Sequence, residues 1–176
     1  MTDKQHSFFF CGIGGSGMLP LAQIVKGLGA DVGGSDRSYD QGRTPEKFAW
    51  LQSHGFKLFP QDGSGLTDPA QVLVASAAIE DTVPEIIRAR VLGCPRVTRA
   101  ELLSQMFNRA PCSLAVGGTS GKSTVTAMLG WIMDEAGRKP TIMNGAVMKN
   151  FVSADNPFAS AIVGGRDVFV SEVDES

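Results

Sequence analysis

The segment GGTSGKST, Gly117 to Thr124, gathers within eight residues the groups that hold a nucleoside triphosphate. Gly118 and Gly121 let the backbone turn its N–H groups inward around phosphate oxygens, and a helix starting at Lys122 adds positive potential at its first turn. Lys122 is long enough to reach the outer phosphates, the Ser123 hydroxyl would ligate magnesium, and Thr124 stands beside it. One feature departs from the general P-loop pattern: Val116, five residues before Gly121, stands where that loop begins with glycine, so this loop is shorter. A glycine-capped helix start with a solvated lysine would carry the same letters. The apolar run SLAV before the loop and the helical pattern after it favour phosphate binding.

A second signal is VFVSEVDES, where an apolar strand ends in acidic residues. Such a strand brings a carboxylate to the edge of a parallel sheet, where it can reach a metal-bound nucleotide. Glu172 is the candidate, with Asp174 and Glu175 as neighbours; a solvated acidic turn is the plainer reading, and the phosphate loop in the same region tips the balance. A third signal is GIGGSG, Gly12 to Gly17, which fits G-x-G-x-x-G, with Asp36 at the end of the next strand, 19 residues beyond Gly17. Glycines of this kind admit a diphosphate to the backbone, and the acid is placed for a ribose hydroxyl. The pattern calls for a diphosphate without saying which nucleoside carries it. Ser76, after the run QVLVA, stands at the same sheet edge and could touch that ligand or simply start a loop. His6 and His54 have no acid at useful spacing and read as surface or strand-edge residues. Cys11 and the methionines Met128, Met133 and Met143 read as packing.

These residues need strands that end at loops and helices that follow them. Ser7–Cys11 is a short apolar run, then comes the glycine loop, then apolar side chains at 18, 19, 21, 24, 25 and 28 with helical spacing that stops at Gly29. A strand over 30–34 leads to Asp36. The alternation continues with a helix over 45–53, a strand over 56–59, QVLVAS at 71–76, a helix over 84–92, a strand over 96–98 and a helix over 100–107. Strands alternating with helices predict a parallel sheet. Asn108 to Pro111 interrupts the rhythm and marks a domain boundary. Beyond it the spacing predicts a strand over 113–116, a helix over 122–136, a strand over 141–143 and a last strand over 167–170. A nucleotide-binding domain of only some 65 residues has too few strands, which predicts that the second domain is cut short.

The chain has 176 residues, 16 basic and 18 acidic, for a formal net charge of -2. Near-neutrality without a basic tract argues against nucleic acid or an anionic membrane as partner. No apolar run approaches the roughly 20 residues that span a bilayer, and the N-terminus does not read as a signal peptide, so the expected location is the cytoplasm. Three cysteines far apart, with two histidines, predict neither a disulfide framework nor a zinc site. Glycine is the outlier, at 21 of 176 residues, and many of these cluster in the loops already named.

In this order, GIGGSGM, Ser35-Asp36, ASAAI at 75–79, GTSGKST and EVDES resemble the Mur ligase family, in its branch that acts on UDP-N-acetylmuramic acid. The resemblance covers essentially the whole chain. It implies an α/β fold: a Rossmann-like parallel-sheet domain over 1–110 that binds the UDP-sugar, then the N-terminal part of a P-loop ATP-binding domain over 111–176. It also implies that Gly14, Gly15, Ser16, Gly17 and Met18 line the UDP diphosphate, with Asp36 and Ser76 near the ribose and uracil. Gly118, Thr119, Ser120, Gly121, Lys122, Ser123 and Thr124 would hold ATP, Ser123 and Glu172 would hold Mg²⁺, and Lys122 and Glu172 would be catalytic. The implied reaction activates the muramyl carboxylate as an acyl phosphate, which an amine of L-alanine or of a murein peptide then attacks. This branch usually has histidine where Ser120 stands and more often threonine where Ser123 stands. With the remaining domains absent, the chain is expected to bind the UDP-sugar without completing ligation. Two other readings are an NAD-dependent oxidoreductase fused to a nucleotide-binding segment, and a non-catalytic nucleotide sensor.

Overall fold

The computed structural model describes residues 7–173, so His6, Asp174 and Glu175 lie outside the described residues. The chain divides in sequence into two compact units, between Leu102 and Leu103.

The first unit holds five parallel strands in the order β3-β2-β1-β4-β5. They are β1 (Ser7–Cys11), β2 (Asp31–Ser35), β3 (Lys57–Phe59), β4 (Val72–Ala75) and β5 (Arg96–Thr98). From the central β1 the chain first builds outward through β2 and β3, then returns to the other side of β1 to add β4 and β5. The order therefore reverses beside β1, and in open parallel sheets ligands bind at the carboxyl ends of the strands where this happens. Phe9 and Phe10 are both fully buried although they face opposite sides of β1, which requires cover on both faces of the sheet. Helix α1 (Met18–Gly27) follows β1 and buries Met18 through Val25. Helix α2 (Arg37–Asp40) is a single turn that the sequence pattern did not reveal, started by Asp36. Helices α3 (Pro45–Ser53) and α4 (Pro84–Leu92) each begin with proline, whose fixed φ and missing N–H suit a first helical turn. Helix α5 (Arg99–Phe107) follows β5 without a loop, and the division between the units falls within it.

The second unit has four strands in the order β6-β9-β7-β8. Strands β6 (Cys112–Val116), β7 (Thr141–Met143) and β9 (Val168–Glu172) are parallel, and the two-residue β8 (Ala161–Ile162) runs antiparallel to β7. The expectation of a parallel sheet holds for the strands that carry the loops; β8 is too short for any periodicity to announce it. Helix α6 (Lys122–Glu135) joins β6 to β7, and Ile142, Met148, Val168 and Val170 form the buried centre. Phe107 packs edge-on against Phe169 with ring centroids 5.8 Å apart. Among the described residues, no helix is long and apolar enough to cross a membrane.

Candidate functional site

Each unit presents a glycine loop at the carboxyl edge of its sheet. In the first, the loop leaves β1 at Cys11 and enters α1 at Met18. The Ser35 carbonyl, at the end of β2, accepts the N–H groups of both Gly12 and Ile13, at 2.8 and 3.0 Å. Asp36 adds a third anchor: its Oδ2 accepts the Gly14 N–H at 2.8 Å while its Oδ1 accepts the Ser38 N–H at 2.8 Å and caps α2. Lys47 Nζ donates to the Gly14 carbonyl at 3.0 Å. A Cβ at Gly14 would lie 3.0 Å from both Asp36 Oδ2 and the Phe48 ring, so glycine is what lets the acid reach the loop backbone. Asp36 is 8% exposed, and both its oxygens serve the protein's own N–H groups.

Gly15 and Ser16 are exposed at the tip of this loop, and Gly17 is half-buried. The Met18 side chain is in the core and its N–H donates to the Gly15 carbonyl at 3.1 Å, so Met18 fixes the loop from inside. Ser76 follows β4 and is exposed; its hydroxyl accepts the Ala78 N–H at 3.4 Å, a serine-started turn.

Sequence reasoning missed Glu85. This residue of α4 is fully buried, accepts the Ser35 hydroxyl at 2.5 Å through Oε1, and keeps Oε2 buried without a partner among the described residues. In sequence, an acid just after a helix-starting proline reads as a solvated first-turn residue, so nothing marked it. Burial, with a further push from Glu85, raises the Cys11 thiol from 9.0 to about 11. Cys11 is therefore a neutral core thiol at ordinary pH, as the sequence expected.

In the second unit the loop leaves β6 at Val116 and enters α6 at Lys122. Gly118 and Gly121 adopt φ of +138° and +79°, values that side chains rarely reach, so the curl of the loop depends on both. Lys122 Nζ donates to the Gly118 carbonyl at 2.8 Å, which folds the ammonium back over the loop. Thr119, Ser120, Gly121 and Thr124 are exposed and Ser123 is half-buried.

Strand β9 lies between β6 and β7, with Val116 opposite Glu172 and Met143 opposite Ser171. Glu172 is thus the last residue of the strand beside the one that leads into the second glycine loop. Its Oε2 is buried with no hydrogen-bond partner among the described residues, and a Cβ at Gly145 would collide with Oε1. Asn144, next in chain after β7, is a second residue that the sequence did not mark. It is 2% exposed, its N–H donates to the Ser160 carbonyl at 2.9 Å, and its Oδ1 is buried without a partner among the described residues. Buried polar atoms without partners are costly, so two unsatisfied oxygens at one sheet edge fit a ligand that supplies cation or donor character. Both are oxygen donors, the kind magnesium takes alongside nucleotide phosphates. Among the described residues no three His, Cys, Asp or Glu side chains converge, so a metal here would depend on neutral oxygens and on phosphate as well as on Glu172.

The profile of the Mur ligase family, catalytic domain, matches residues 7–110, more than half of the chain. The chain is 36% identical over 167 residues to the UDP-N-acetylmuramate–L-alanine ligase of Parvibaculum lavamentivorans, covering 95% of the chain and 32% of that relative. To the enzyme of the same name from Nitratidesulfovibrio vulgaris it is 35% identical over 176 residues, covering 100% of the chain and 36% of the relative. Among solved structures, the UDP-N-acetylmuramate–alanine ligase of Thermotoga maritima superposes with a TM-score of 0.80 at 29% identity, covering 96% of this chain and 37% of that one. The UDP-N-acetylmuramate:L-alanyl-γ-D-glutamyl-meso-diaminopimelate ligase of Neisseria meningitides gives a TM-score of 0.78 at 27% identity, covering 97% of this chain and 53% of that one. The chain spans about a third of the length of the curated relatives it matches.

Proposed function

The chain belongs to the Mur ligase family, and on that footing we propose that it is the nucleotide-binding portion of an ATP-dependent ligase joining L-alanine to UDP-N-acetylmuramic acid in peptidoglycan synthesis. The first unit takes the UDP-sugar on the Gly14–Gly17 loop, with Asp36 holding the loop in shape and Ser76 at its rim. The second takes ATP on Gly118–Thr124. The observation that carries this reading is the second sheet edge, where the phosphate loop and the unpartnered oxygens of Glu172 and Asn144 issue from adjacent strands.

In this reading Lys122 leaves the Gly118 carbonyl to meet the outer phosphates, and the loop N–H groups hold the inner ones. Ser123 and Glu172 would hold magnesium, which would supply charge neutralisation between the phosphates. Asn144 orients the same cluster through Oδ1. With the γ-phosphate aligned, the muramyl carboxylate attacks it and ADP leaves, giving an acyl phosphate; an amine then attacks the acyl carbon, losing a proton and expelling inorganic phosphate to form the amide. Lys122 stabilises the charge that moves onto the departing ADP. Such chemistry belongs in the cytoplasm, where ATP and UDP-sugars are found.

A second acceptor is favoured by one observation, the TM-score of 0.78 with the ligase that joins a tripeptide to UDP-N-acetylmuramate. Either amine enters through parts of the protein outside this chain. Against the oxidoreductase reading stand the family match and Asp36, whose two oxygens already accept Gly14 and Ser38 N–H groups and are not turned to a nicotinamide nucleotide's ribose. Calorimetric titration of the chain with UDP-N-acetylmuramic acid and with NADH tests the choice. The sugar nucleotide is expected to bind and NADH to give no heat; NADH binding without a response to the sugar nucleotide overturns the reading.

A further inference from the structure

Arg99 opens α5 directly after β5, at the same carboxyl edge of the first sheet as the glycine loop. Its side chain lies over Gly17. A Cβ at Gly17 would come within 3.1 Å of Arg99 Cδ, 3.1 Å of Nη1 and 3.2 Å of Nε. Gly17 has φ -93° and ψ -23°, an ordinary right-handed conformation open to any residue. Glycine is therefore not needed there for backbone freedom. What its missing side chain provides is room, and the guanidinium fills that room.

Among the described residues nothing answers the charge on Arg99. It is half-buried, and among the described residues it makes no ion pair or hydrogen bond, whereas nearby Arg96 pairs with Asp81 at 3.3 Å. Asp36, which reaches this loop, is committed to Gly14 and Ser38. Arg99 also sits against the first turn of α1, whose N–H ends are themselves positive, so protein alone makes this a repulsive arrangement. The Ser16 and Gly17 N–H groups find no acceptor among the described residues. A planar guanidinium with several fixed donors matches two neighbouring phosphate oxygens better than any point charge does.

We propose that Arg99 is a further ligand-binding residue of the glycine-loop site, grasping the diphosphate of the bound nucleotide through its guanidinium, and that position 17 is glycine to admit it. This rests on the reading that the first unit takes a nucleoside diphosphate. It adds the side-chain cation that a loop of glycines lacks, and it explains the last glycine of GIGGSG by space.

The test is calorimetric titration of the chain with UDP-N-acetylmuramic acid, NADH and inorganic diphosphate, in wild type, Arg99→Met, Arg99→Lys and Gly17→Ala, with melting curves for each. Arg99→Met keeps the apolar stem and is expected to weaken UDP-sugar binding about tenfold or more, the scale of a lost charge-assisted hydrogen bond, without lowering the melting midpoint. Arg99→Lys recovers part of the affinity. Gly17→Ala weakens binding while leaving Arg99 in the chain, and combining it with Arg99→Met costs no more than Arg99→Met alone. UDP-sugar affinity in Arg99→Met within twofold of wild type overturns the proposal and leaves the ligase reading intact. NADH binding that depends on Arg99, with no UDP-sugar binding, sinks the ligase reading and upholds the diphosphate role. No binding of any of the three by wild type overturns both. Should Arg99→Met unfold, unchanged affinity in Gly17→Ala overturns the proposal on its own.

Discussion

Glu172 Oε2 and Asn144 Oδ1 are buried oxygens that find no partner among the described residues, and Gly145 sits against the Glu172 carboxylate. A methyl at position 145 would occupy the space of Glu172 Oε1, so Gly145→Ala is expected to turn that carboxylate away. The consequence should appear only when metal is present: ATP affinity in magnesium falls about tenfold or more, while the weaker binding measured in EDTA stays as in wild type. Equal losses in both buffers would show that the substitution damages the phosphate loop itself. Cys11 supports a second prediction. With its folded thiol at about 11 against an ordinary 9.0, the unfolded chain releases this proton first, so stability is intact below pH 9 and declines as pH rises from there to about 11. The slope from this one group is at most about 1.4 kcal/mol per pH unit. Urea melts of wild type and Cys11→Ala at pH 8 and pH 10.5 check it: the variant should lose less stability over that interval, and parallel losses would refute the assignment.

At the scale of elements, Asp36 ties the end of β2 to both the glycine loop and α2. Asp36→Ala removes an N-cap, worth about 0.5–2 kcal/mol, and orphans the Gly14 N–H as well. Asp36→Asn keeps one carbonyl oxygen for two donors, so its stability is expected midway between wild type and Asp36→Ala by denaturant unfolding; a midpoint equal to wild type would mean one of the two bonds contributes nothing. Elements of this kind divide into legible and illegible ones for physical reasons. The β1–loop–α1 and β6–loop–α6 units were legible because a buried strand, a glycine cluster and a 3.6-residue apolar period occur in succession. Helix α2 was not, since four residues carry no period, and β8 was not, since two residues have no alternation. The last strand was placed at 167–170 and extends to Glu172, because Ser171 is buried in the sheet despite its polarity. Glu85, Asn144 and Arg99 escaped for one shared reason: each acquires its role from a partner distant in sequence, Ser35 for Glu85, the β9 edge for Asn144 and Gly17 for Arg99.

At the scale of the whole molecule, seven of the 21 glycines lie in two loops of different construction, each at the edge of its own sheet. The first is held from outside, by Ser35, Asp36 and Lys47 on later elements of the same unit. The second is held from within, by left-handed Gly118 and Gly121 and by Lys122 reaching back four residues to Gly118. Because the anchors of one loop are all in the first unit and those of the other all in the second, a change at either should leave the other's ligand undisturbed. Lys122→Ala takes away the ammonium while keeping a strong helix former at the first position of α6, so the fold of the second unit should survive. In a ligase that joins this chain to the parts of its relatives it does not span, this variant is expected to lose ATP-dependent ligation by several orders of magnitude, since the charge moving onto the departing ADP goes unstabilised. Its affinity for UDP-N-acetylmuramic acid, read by titration without ATP, should stay within twofold of wild type. A joint fall of ligation and UDP-sugar affinity would mean that the two loops serve one shared ligand, and the assignment of one nucleotide to each unit would have to be abandoned.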